Sequence, residues 1–198
     1  MEEKNAIEEL QFIRKVIEET KQNVMHNGKD YIFWGILVIV GMLLQYIFAI
    51  NKNFFGFAWI WAILIPIGWI YSFINRRSQK IKHPSTYAGK IITSLWVSAG
   101  IIMTIIGFVG TASKIITPWA ISPIICLIGG CGYFVTGTIV GSKWFKNISY
   151  GWWIGGVTMM FVVSNNQFLI MALVMFLFQT IPGIALYKKY RKQTAALS

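Results

Sequence analysis

The chain has 198 residues, of which 56% are hydrophobic and 13% charged, and its formal net charge is +11. Such usage excludes an ordinary soluble domain, and the charge does not mark a nucleic-acid surface, because the bases sit between apolar runs. All seven acids fall within the first thirty residues, whereas residues 31–198 hold 13 bases and no acid.

The chain opens on an amphipathic pattern. Between Glu2 and His26 there is neither proline nor glycine, and Ile7, Leu10, Ile13, Ile17 and Val24 recur at three, four or seven, which predicts one apolar face of a helix. Phe12 and Val16 widen that face beyond a coiled-coil seam, and Asn27-Gly28 is suited to closing the helix. Helices that lie on lipid carry Lys and Arg on their polar side, but this one carries six glutamates. A protein surface is therefore the expected dock.

Six apolar runs follow, at 31–50, 54–74, 91–110, 117–140, 148–163 and 168–187. Crossing a hydrocarbon core of about 30 Å takes roughly 20 helical residues, so each run is expected to span, the short fifth one by recruiting Lys146 and Asn147 through snorkelling or by tilting less than its neighbours. The loop after the second run carries Arg76, Arg77, Lys80, Lys82 and Lys90. The loop before the fifth carries Lys143 and Lys146, and the tail Lys188, Lys189, Arg191 and Lys192, while the intervening loops hold only Lys52 and Lys114. Basic loops stay cytoplasmic, which predicts that both termini are inside.

The fourth run contains "SPIICLIGGCGYFVTGTIVG". At about 100° per residue, Ser122, Cys126, Gly129, Gly130, Tyr133, Gly137 and Gly141 fall within an arc of about 120°. The third run has its own small and hydroxyl stripe, including Gly100, Thr104 and Gly107, and the fifth has Gly151 and Gly155. Small residues let helix backbones approach in lipid, so close packing is the first reading of these positions. A path bordered by glycine carbonyls is the second. Cys126 and Cys131 point about 140° apart on a helix and share no metal. The few polar groups within the runs, chiefly Gln45, Gln179 and Thr180, are read as inter-helix hydrogen-bonding residues. Pro182 stands three residues after Gln179 and frees a backbone carbonyl one turn back, for which the Gln179 amide is a further, local partner.

Beyond Asp30 no run holds an acid or a histidine. Proton-coupled carriers and intramembrane enzymes depend on such groups, and no phosphate or dinucleotide loop is present. No enzyme, cofactor or metal site is expected, and no internal repeat stands out. Residues "FIRKVIEET" followed by "DYIFWG" resemble the opening of uncharacterised bacterial multi-span inner-membrane proteins, in which such a helix leads into a Trp-Gly at the membrane edge. The resemblance implies an inner-membrane location and no activity.

The expected molecule is an all-α integral membrane protein with six transmembrane helices preceded by a cytosolic amphipathic helix. Its parts are residues 1–30 (helix and turn), 31–187 (bundle) and 188–198 (basic cytosolic tail). The expected role is that of a non-enzymatic accessory, regulatory or sensor component. Its partners would be the bilayer and either a cytosolic protein or a second copy of the chain. The alternative is a small permease or channel subunit with a path along the glycine-rich spans.

Overall fold

A computed structural model of the chain describes residues 28–52, 55–82 and 86–195, together with Gln11. From Gly28 to Ala195 it contains six helices. They are α1 (Gly28–Ile50), α2 (Phe55–Lys82), α3 (Tyr87–Ile105, carried on by a π turn at Ile106–Gly110), α4 (Pro118–Ile139) and α5 (Lys143–Phe161). The last, α6, is one rod of Asn166–Met175, a π turn at Phe176–Thr180, and Ile181–Ala195. Residues 188–195, read from sequence as a tail, continue α6.

Local chemistry sets the helix ends. The Thr86 hydroxyl accepts from the Gly89 amide at 3.1 Å and caps α3, and Pro118 opens α4, where a missing amide costs nothing. Gly141, at φ +65°, closes α4 in the left-handed conformation. The Ser142 amide returns to the Gly137 carbonyl and the Gly141 amide to that of Thr138, the paired bonds that end a helix at glycine.

Among the described residues, four of the six helices are long and apolar enough to cross a bilayer: Gly28–Ile50, Tyr87–Gly110, Pro118–Ile139 and Asn166–Lys192. The expected count of six is thus corrected. The 19-residue α5 opens on Lys143, Lys146 and Asn147, leaving too short an uninterrupted apolar stretch. In α2, 28 residues long, charge is confined to the last turns, at Arg76, Arg77, Lys80 and Lys82.

The helices alternate in direction. The start of α1 meets the end of α6, where a Cβ on Gly28 would come within 2.7 Å of the Tyr187 amide nitrogen, and one on Gly183 within 2.9 Å of that of Ile32. The end of α4 meets the start of α5 just as closely, Gly137 facing the Lys146 amide nitrogen at 2.9 Å. These pairs, α1 with α6 and α4 with α5, are the most extensive contacts, and α2 and α3 attach outside them to α1 and α4. The alternation gathers Lys29, Arg76, Arg77, Lys90, Lys143, Lys146, Lys188 and Lys189 at one end, which also holds both ends of the described chain, and leaves Lys52 and Lys114 at the other.

A repeated joint ties the first four helices together in order. The indole of Trp34 lies on Gly68, that of Trp69 on Gly100, and that of Trp96 on Gly132. One turn beyond each glycine a hydroxyl receives the indole N–H: Ser72 at 2.9 Å, Thr104 at 3.4 Å and Thr136 at 3.2 Å. The glycines stand 32 residues apart, and so do the hydroxyls. This is an internal repeat of Gly-x-x-x-Ser/Thr that a search for repeated hydropathy misses.

Candidate functional site

The densest polar and aromatic grouping lies where α1, α3, α4, α5 and α6 converge. Tyr133 of α4 is fully buried, and its hydroxyl donates to Gln179 Oε1 at 2.6 Å. Its ring is surrounded by those of Trp96 at 5.4 Å, Tyr31 at 5.7 Å, Trp152 at 5.9 Å and Phe145 at 6.0 Å. Aromatic rings in apolar surroundings favour such edge and offset contacts, and a buried phenol needs its partner.

Proline chemistry places Gln179. Pro182 has no N–H for the Phe178 carbonyl, and the wide turn Phe176–Thr180 lies immediately before it, giving the ring room in the helix. The released Phe178 carbonyl accepts from Trp152 Nε1 at 3.2 Å. Gln179 thus makes the inter-helix bond expected of it, to Tyr133, while the local use of its amide is replaced by an indole from α5 that satisfies the carbonyl. Pro123 repeats the arrangement near the other end of the bundle. Its released carbonyl, that of Trp119, accepts from Gln167 Nε2 at 2.9 Å, and the same nitrogen donates to the Met159 carbonyl at 2.9 Å. Gln167 is 1% exposed, and its Oε1 has no hydrogen-bond partner.

A third polar grouping sits at the basic end. Asp30, the one acid among residues 28–195, accepts from Asn75 Nδ2 and is hydrogen-bonded to Tyr71, with Arg76 close by. Tyr71 is stacked on Phe33 at 3.7 Å. The first turn of α1 is thereby fastened to the end of α2.

The small residues singled out in the sequence do not share one partner. Gly129 lies under Trp152, Gly130 under Trp153, Gly137 on the backbone of α5 and Gly155 on Val174 of α6. Ser122 and Cys126 are buried, the latter with its sulfur 3.4 Å from that of Met171. Thr104 faces Trp69 of α2, while Gly107 meets nothing within 4 Å and Gly141 belongs to the turn. Six of the nine tryptophans rest on a glycine of another helix, so indoles are the main filling of these grooves. Ile7, Leu10, Ile13, Ile17 and Val24 lie outside the described residues.

The roles of Trp96 and Trp152 at the centre, and of Gln167 beside Pro123, escaped the sequence reading. Counting four residues back from Pro123 and Pro182 marks the carbonyls that need donors, although the donors themselves lie on other helices. Chemically the centre offers neutral hydrogen bonds and polarisable rings. Among the described residues no three His, Cys, Asp or Glu side chains come together.

No family model matches the chain, and neither a curated protein nor a solved structure does. The resemblance of the opening residues to bacterial multi-span proteins rests on those residues alone. What the fold defines is an all-helical chain with four candidate membrane spans, in contact with a bilayer.

Proposed function

We propose that this chain is a non-enzymatic accessory or regulatory membrane component, held by its bundle and acting through the amphipathic segment before Gly28. The carrying observation is the filling of the small-residue grooves: Trp152 and Trp153 occupy the α4 surface at Gly129 and Gly130, and Trp96 the one at Gly132. A permease path along these glycines would have to displace three indoles, two of which are hydrogen-bonded to backbone carbonyls. The buried polar side chains Tyr133 and Gln179 bond to each other, which leaves that pair poorly suited to receiving a solute. The gathering of Lys and Arg at one end supports an orientation with both termini cytoplasmic, and the resemblance of the opening residues supports the inner membrane.

The native cysteines supply the test. Cys126 lies on the α4 face that a path would follow, and Cys131 points away and is exposed. In a Cys131→Ser background, a small water-soluble thiosulfonate should leave Cys126 unlabelled in reconstituted vesicles, while a control cysteine at Ser113 reacts. Labelling of Cys126 at a rate near that of the control would favour the permease reading.

A further inference from the structure

The α4–α5 hairpin carries on its outer side a row of basic and aromatic residues, of which Trp153 covers Gly130 and donates to the Leu127 carbonyl, whereas Lys143 and Tyr150 are exposed. Lys143, Lys146, Tyr150 and Trp153 recur at three, four and three along α5, which puts them on one helical face. Trp153 meets Phe134 of α4 at 5.6 Å and Tyr150 at 5.8 Å. Lys146 Nζ stands 5.6 Å above the Phe134 ring. Tyr150 is 50% exposed and Lys143 is exposed. The group stands at the basic end of the molecule, where the candidate span Pro118–Ile139 finishes.

Vertical order identifies what such a face fits. Aromatic rings form the part beside the span, and two ammonium groups top it. A cation held over a ring keeps its charge while its stem lies on apolar surface. An anionic phospholipid has the same order, with acyl chain below and phosphate above, and basic groups at this level attract anionic headgroups. Neither α4 nor α5 contains an acid, and Asp30 is engaged by Asn75 and Tyr71. A second copy docked on the same face would bring two lysine pairs together, which like-charge repulsion opposes.

We propose that the outer face of the α4–α5 hairpin seats an anionic phospholipid, with its phosphate between Lys143 and Lys146 and an acyl chain along Phe134, Tyr150 and Trp153. The site is independent of the accessory role.

The full chain, purified in mild detergent, would be titrated with phosphatidylglycerol and with phosphatidylcholine of the same acyl chains, and retained lipid counted by native mass spectrometry. Phosphatidylglycerol should be retained in preference. Lys143→Gln with Lys146→Gln should reduce that preference by about fivefold for each charge removed. Arginine at both positions should preserve it, and Lys52→Gln with Lys114→Gln, at the opposite end, should leave it unchanged. Equal retention of the two lipids by the native chain, or an unchanged preference in the glutamine pair, overturns the proposal. Should the glutamine pair fail to fold, salt decides on the native chain: raised ionic strength must erase the preference and leave phosphatidylcholine retention as it was, and a salt-insensitive preference overturns the site.

Discussion

What a single glycine contributes depends on what occupies the space where its side chain would be. At Gly137 that space ends on the backbone of α5, 2.9 Å away, and backbone cannot step aside as a flexible side chain can. Gly137→Leu should therefore cost about 1–3 kcal/mol through overpacking, read as a lower melting temperature in detergent. Cys131→Leu, on an exposed position of the same helix, should melt like the parent. Gly107 is the opposite case: nothing lies within 4 Å, so Gly107→Ala should hold or raise stability by up to about 1 kcal/mol, the usual helix-interior difference. The proline carbonyls allow a sharper test. Gln167→Leu leaves the Trp119 carbonyl without its donor, at a cost of about 1–3 kcal/mol for a buried unsatisfied group. With Pro123→Ala the backbone regains an N–H for that carbonyl, so part of the cost should vanish. A double-mutant cycle by thermal unfolding should show coupling between 123 and 167, and strict additivity would mean that Gln167 is not there for the proline.

Between elements, the three indole joints form a graded series. The hydroxyl at Thr136 is fully buried, whereas Thr104 is partly exposed and its bond from Trp69 is the longest at 3.4 Å. Replacing each tryptophan by phenylalanine removes the donor and keeps most of the ring. Trp96→Phe should cost the most and Trp69→Phe the least, within the range of about 0.6 to 2 kcal/mol known for hydrogen bonds between membrane helices. The rods themselves were legible in the sequence, because uninterrupted apolar length is a local property, whereas Gly141, read as part of the packing stripe, closes α4 instead. The number of candidate spans was not legible, since counting apolar runs gives too little weight to Lys143, Lys146 and Asn147, which open α5. The partners were not legible either. Helical spacing reveals that one face of α4 is small, but nothing in it says that Gly130 belongs to Trp153 and Gly132 to Trp96. The regular spacing of Gly68, Gly100 and Gly132 was visible only in principle, because the tryptophans that give it meaning, at 34, 69 and 96, are unevenly spaced.

Over the whole molecule, charge is sorted by end, and that sorting predicts orientation. Reporter fusions after Ser198 should report the cytoplasm, and a reporter inserted at 51–53 the opposite side; a C-terminal reporter active outside would contradict the orientation. The pairing of α1 with α6 has a separate consequence, for the way the protein is made. A ribosome delivers α1 first and α6 last, yet α1 finds its largest surface on α6, with Gly28 on Tyr187, Gly35 on Thr180 and Gly183 on Ile32. Until roughly 160 further residues have emerged, the groove of the first helix has no helix to receive it, and the nascent bundle stays an open chain of joints that only the last helix can close into a ring. A chain halted after residue 165 would leave that groove open, so truncation there should shorten the product's lifetime in cells more than truncation after residue 192 does, read by pulse-chase.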